Sequence, residues 1–242
     1  MPTEKIALIT GANKGIGFET ARQLGAAGVV VLLGARDEVR GKQAADTLAG
    51  LGVSAVPVRL DVTDPDSVAA AAGLVERRHG RLDILVNNAG IAGGFTGPPS
   101  QATAEDLREV YETNVFGVVT VTNALLPLLR RAPAGRIVNL SSHGASLTLG
   151  STPGSPLAAM NMLAYQSAKT ALNAVTLAYA KELRDTPIKV NAALPGMVAT
   201  DINGHRGQRT AAEGAGIAVR LALLDAAGPS GQCLSDDGVV PW

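Results

Sequence analysis

The chain has 242 residues, 46% of them hydrophobic, with 21 basic and 21 acidic side chains and a single cysteine. Balanced charge leaves no basic field for nucleic acid or an anionic membrane surface, and a lone Cys233 excludes an intrachain disulfide and fits a reducing cytoplasm. Neither a leader nor an apolar run of membrane-spanning length is expected, and the size suits one domain, residues 1–242, around one core.

Ile6-Ala7-Leu8-Ile9 has the length and branching of a buried parallel strand. It runs into Gly11, Gly15 and Gly17, then into Phe18–Leu24, a good helix former. Strand, glycine turn and helix set a helix N-terminus against a diphosphate, and glycine permits both the tight turn and the close approach. The spacing is G-x-x-x-G-x-G rather than G-x-G-x-x-G, so the turn alone does not separate a dinucleotide site from a structural turn. Further strands are expected at Val29–Leu33, Ser54–Leu60, Leu82–Val86, Arg136–Leu140 and Ile188–Leu194, with Gly231–Leu234 as a candidate edge strand. Helices are expected at Glu38–Leu51, Pro65–His79, from the cap Thr103 to Arg131, Ala164–Arg184 and Ala218–Leu224. This alternation predicts an α/β fold, a doubly wound parallel sheet with helices on both faces. Ile91–Ala102 reads as a loop beyond a strand's carboxyl end, where ligands of open α/β sheets bind. His143–Leu163 reads as irregular, and Thr200–Gly216 as polar and mobile.

Three groups stand at strand ends or just beyond. Asn87-Asn88-Ala89-Gly90 follows the fourth strand, and buried asparagines are costly unless paired. They serve either to cap neighbouring loops or to brace a loop against a cofactor. Ser141-Ser142 ends the strand Ile137–Leu140, where a serine pair is usually a cap or turn. Tyr165 and Lys169 are four residues apart on a helix and share a face. An ammonium there favours the phenolate, so such a tyrosine can exchange a proton with an alcohol near neutral pH.

In this order the pieces resemble the short-chain dehydrogenase/reductase family over essentially the whole chain. They are Thr10–Gly17, Asp61-Val62, Asn87–Gly90, Asn114, Ser142, Tyr165/Lys169 and Pro195–Thr200. Gly-Ala-Asn-Lys-Gly-Ile-Gly-Phe-Glu and the ending Ser235–Trp242 look most like the carbonyl reductase branch. The resemblance implies a Rossmann-type domain with Asn114, Ser142, Tyr165 and Lys169 as the catalytic set. Tyr165 would be the general acid/base, Lys169 would hold the nicotinamide ribose, Ser142 would bond the substrate oxygen, and Asn114 would anchor a water. Cofactor residues would be Gly11, Asn13, Lys14, Gly15, Ile16, Gly17, Arg36, Asp61, Val62, Asn87, Ala89, Gly90, Tyr165, Lys169, Pro195, Gly196, Val198 and Thr200. No metal ligands are assigned.

The expected cofactor is NADP(H). The second strand ends in Ala35-Arg36 where NAD sites place a carboxylate, and Lys14 adds a second cation; Asp37 is read as the start of the next helix. The expected reaction is reduction of a ketone or aldehyde carbonyl to an alcohol. A regulatory dinucleotide-binding protein and an alcohol dehydrogenase working oxidatively are the alternatives. Uncharged candidate walls (Phe95, Leu147, Leu149, Met160, Met162, Met197) point to apolar carbonyl substrates, with Arg206 and Arg209 the residues that could overturn this. For assembly, the carbonyl-reductase likeness favours a monomer and the modest length of His143–Leu163 favours an oligomer; the monomer is preferred.

Overall fold

The computed structural model describes residues 4–95 and 97–242 and holds eight strands in one sheet. In spatial order these are β3 (Ala55–Arg59), β2 (Val30–Ala35), β1 (Ile6–Ile9), β4 (Ile84–Asn87), β5 (Arg136–Leu140), β6 (Lys189–Ala193), β7 (Cys233–Ser235) and β8 (Gly238–Val240). Every pair is parallel except the β7–β8 hairpin. The order reverses between β1 and β4, which opens a crevice at their carboxyl ends.

Alternate residues of β1 serve opposite faces, as the two-residue period of a strand requires. Ala7 and Ile9 join the core under α1 (Gly15–Ala26), α2 (Glu38–Gly50) and α8 (Ala211–Ala222). Ile6 and Leu8 join the core under α3 (Pro65–His79), α5 (Gly117–Leu129) and α7 (Leu163–Glu182). The strand between two helical layers therefore has no polar face, which is why it reads as a continuous apolar run.

Several elements differ from expectation. The helix beginning at Thr103 is α4 (Ala104–Tyr111), a π turn at Glu112–Phe116, and α5, continuous to Leu129. Its best window reaches a mean hydropathy of 1.2, long and apolar enough to cross a membrane, against the expectation that no run would be. Half of that window is buried, and Val121, Leu125 and Leu129 share a core with Leu82, Leu85 and Ile137. Helix α8 starts at Ala211 rather than Ala218, because Thr210 and Glu213 form a capping box: each side chain accepts from the other's backbone N–H. The stretch expected to be mobile is thus folded, and the Ala199 N–H donates to the Arg209 carbonyl at its base. The stretch expected to be irregular holds a 3-10 turn (His143–Ala145) and α6 (Leu147–Ser151), where Thr148 donates to the Trp242 carbonyl.

Arg136 opens β5 with its guanidinium buried at the end of the sheet away from the crevice. It donates to the carbonyls of Gly135, Pro187, Leu224 and Asp225, and burial pulls its pKa down. On the outer face, Val119, Val175, Ala178, Tyr179 and Glu182 line an open groove of about 250 Å³, to which residues 143–163 contribute nothing.

Candidate active site

The crevice begins at the glycine turn. Gly11 has φ 61°, and a Cβ there would lie 3.0 Å from the Ala89 Cα. A Cβ on Gly17 would lie 2.4 Å from the Asn88 amide nitrogen and 2.8 Å from the Gly11 carbonyl oxygen. Asn88 braces the turn, donating from Nδ2 to the carbonyls of Thr10 (2.8 Å) and Gly11 (3.0 Å). The Thr10 hydroxyl accepts from the N–H groups of Asn88 and Ala89, so the loops after β1 and β4 are one rigid unit.

The Asn87 side chain is engaged inside the protein. Its side chain donates inward to Thr122 and Asn139 and is 2% exposed, while its Oδ1 has no partner. Successive strand residues face opposite ways, so the two asparagine side chains have different surroundings. That alternation was the signal for Asn88, which the sequence reading quoted without assigning to the site.

Asn13, Lys14 and Ile16 lie on the turn; the Lys14 ammonium is paired with the Asp201 carboxylate, which also pairs with His205 at 2.8 Å. These partners hold the Asp201 pKa below its usual value, the Lys14 hydrogen bond first. Arg36 is exposed at the end of β2. Asp37 caps α2, accepting from the Arg40 N–H at 3.0 Å. Asp61 accepts from the N–H and hydroxyl of Thr63, and Val62 packs against the place where Gly117 lacks a Cβ.

Beyond β6, Gly196 has φ 79° under the Arg209 side chain. That guanidinium donates to the carbonyls of Pro195 and Glu213 and to the Asp236 carboxylate, so it is not free to meet an anionic substrate. Val198 is buried against Gly214, and the Thr200 methyl stands over Gly15.

The proposed catalytic set converges from four stretches of chain. The π turn carries Asn114, whose amide accepts from the Ile91 N–H (2.9 Å) and donates to the Ile91 carbonyl (2.8 Å). Its side chain therefore fixes the Ile91 loop rather than standing free for a water. A Cβ on Gly90 would lie 3.2 Å from the Asn114 Oδ1 and 3.4 Å from the Lys169 Nζ, so glycine gives that loop room to settle close to both. Lys169 donates to the Leu140 carbonyl at 2.7 Å, and the Ser142 side chain stands beside the Tyr165 hydroxyl. The Ser142 oxygen also accepts from the Gly144 N–H.

A sequence profile described as short chain dehydrogenase matches residues 5–211. The chain belongs to the short-chain dehydrogenase family. It is 38% identical over 226 residues to the short-chain dehydrogenase anuI of Penicillium roqueforti, covering 91% of this chain and 89% of that one. It is 34% identical over 276 residues to bovine (Bos taurus) carbonyl reductase [NADPH] 1, covering 98% of each. The structure of NADPH-bound carbonyl reductase from chicken fatty liver superposes with TM-score 0.85 at 31% identity, covering 99% of each chain. The doubly wound sheet is thus this dehydrogenase family's fold.

In this short-chain dehydrogenase, burial rather than lysine sets the direction of the tyrosine pKa. Burial raises the Tyr165 pKa, and the Ser142 hydrogen bond only partly opposes it. Burial also lowers the Lys169 pKa to about 8; the ammonium lies 5.9 Å from the Tyr165 ring centroid, and Leu140 is its hydrogen-bond acceptor. Burial likewise lowers the pKa of His143, against the pull of Asp237.

The candidate apolar wall residues lie in different surroundings. Leu147, Met162 and Met197 are exposed, and Met160 sets its sulfur 3.1 Å from where a Gly144 Cβ would be, beside Ser142. Leu149 turns instead to a core cluster with Leu194, Cys233 and Val240.

Proposed function

We propose that this dehydrogenase reduces ketone or aldehyde carbonyls to alcohols with NADPH, using Tyr165 as the acid. The observation that carries this is the convergence of Tyr165, Ser142 and Lys169 at the crevice, with the Lys169 ammonium 5.9 Å from the Tyr165 ring centroid and Ser142 beside the Tyr165 hydroxyl. Two hydroxyls meeting at one point suit a carbonyl oxygen that gains negative charge. Bound in the crevice, NADPH would supply the hydride. Tyr165 then gives its proton to the substrate oxygen, Ser142 holds that oxygen, and Lys169 fixes the floor between the Leu140 carbonyl and Gly90.

The residues fit the cofactor. Helix α1 has no side-chain cap and no acidic residue in its first turn, which leaves its N–H groups to an anion. Gly11, Asn13, Gly15, Ile16 and Gly17 would line the diphosphate. Asp61, Val62, Ala89 and Gly90 would line the adenosine side, and Pro195, Gly196, Val198 and Thr200 the carboxamide side. Lys14 and Arg36 would meet a 2′-phosphate, with Arg40 close by on α2; the carboxylate that could have read a 2′-hydroxyl, Asp37, is occupied as a cap. The likeness to carbonyl reductases described as NADPH enzymes supports the same choice.

The exposed apolar side chains Leu147, Met162, Met197 and Ile202 support an apolar substrate. Arg206 donates to the Asn203 carbonyl, and Arg209 is tied down as described. A panel of apolar, acidic and phosphorylated carbonyl compounds, with NADPH oxidation followed by absorbance, tests the reading. Turnover confined to acidic or phosphorylated ketones refutes the substrate class, and no turnover anywhere refutes the function.

A further inference from the structure

Helix α7 meets the end of β5 at four places, three of them hydrogen bonds. Asn139 donates from Nδ2 to the Thr176 hydroxyl at 2.9 Å, and the Ser141 hydroxyl donates to the Asn173 Oδ1 at 2.6 Å. Lys169 donates to the Leu140 carbonyl, and Tyr165 meets Ser142. On the helix the four residues are 165, 169, 173 and 176, a spacing that puts them on one face. On the strand side they are the consecutive residues 139 to 142.

The Asn173–Ser141 bond is the member of this row that flanks the proposed reacting groups along both strand and helix. Ser141 precedes Ser142 directly, and Asn173 follows Lys169 by one turn. Both are 4% exposed. On its other side Ser141 is held by β6, where its N–H donates to the Ala193 carbonyl at 2.8 Å. A short buried hydroxyl–amide bond is directional, whereas two apolar groups in the same place would let helix and strand slide.

We propose that Asn173 is a positioning residue, which through Ser141 sets the height of Ser142 against Tyr165 and Lys169. The proposal rests on the reading of Ser142 and Tyr165 as the reacting pair. Misplacement of reacting groups by about 1 Å can cost about a hundredfold in rate.

The test compares Asn173→Ala, Ser141→Ala and the double variant with wild type on an apolar ketone. Each single variant is expected to lower kcat by about tenfold or more, with KM for NADPH unchanged within about twofold. The double variant is expected to be no slower than either single one, because the pair acts as a unit. Ser141→Thr, which keeps the hydroxyl, is expected to recover most of the rate. Losses that multiply in the double variant, or a folded Asn173→Ala with wild-type kcat, overturn the proposal. Should Asn173→Ala not fold, Ser141→Ala, which removes one oxygen, decides by the same criterion.

A readout without substrate separates this proposal from the assignment of function. The Tyr165 phenolate is titrated by ultraviolet difference absorbance, with Tyr165→Phe identifying its share of the signal. Asn173→Ala is expected to move that midpoint even in a protein that reduces none of the ketones tried; an unmoved midpoint overturns the positioning role.

Discussion

Replacing Lys169 by methionine tests the balance of burial and charge under the crevice. The ammonium is buried and its pKa is lowered from 10.5 to about 8, with desolvation as the cause. Each pH unit of that difference is worth about 1.4 kcal/mol, so holding the charge at pH 7 costs about 3 kcal/mol of stability. For a lysine whose folded pKa lies below its unfolded one, the unfolded chain binds the extra proton. Stability therefore rises with pH between about 8 and 10.5. Lys169→Met has no such proton, and it leaves the Leu140 carbonyl without a donor at about 1–3 kcal/mol. The variant is thus expected to be at least as stable as wild type at pH 7. Wild type should then gain about 2 kcal/mol on the variant between pH 7 and 9.5. Urea unfolding of both proteins without cofactor, at half-unit steps of pH, measures this. A stability difference that stays flat with pH, or a variant several kcal/mol weaker at pH 7, refutes the reasoning.

Tyr165→Phe is expected to lower kcat by about 10²–10⁴-fold while NADPH binding, read by fluorescence titration, stays near wild type; a retained kcat would place the acid elsewhere. Arg36→Ala is expected to raise KM for NADPH by about 10–100-fold, the worth of a hydrogen bond to a charged group, and to leave KM for NADH unchanged. Gly17→Ala puts a methyl 2.4 Å from the Asn88 amide. It is expected to cost about 1–3 kcal/mol by thermal unfolding and to weaken cofactor binding as the glycine turn shifts.

Much of the sheet could be read from the chain because the central strands are buried on both sides and carry apolar runs, Ile6–Ile9 in β1, Val30–Leu33 in β2 and Ile84–Val86 in β4. The glycine turn and Tyr165/Lys169 were legible for a similar reason, since short-range geometry restricts which residues fit. Long-range pairings were not. Nothing near Arg209 announces Pro195 and Asp236 as its partners, and nothing near Asn114 announces Ile91. The direction of the Tyr165 pKa also escaped, because spacing gives the proximity of Lys169 but not the burial that sets the direction. The start of α8 was a missed local cue, with Thr210 and Glu213 in the capping-box spacing.

Arg136 bears on how the chain is made. Its acceptors lie at residues 187, 224 and 225, beyond the segment that supplies β1 to β5. A chain leaving the ribosome can assemble those five strands while this guanidinium still has only the neighbouring Gly135 carbonyl and water. Until β6 arrives, β5 is an open edge, and a hydrated charge at one end of an open edge discourages pairing with another chain. The residue that fastens the finished sheet thus guards the half-made one. Fragments ending after β5 should aggregate faster when they carry Arg136→Leu, and equal light scattering from both would count against that role.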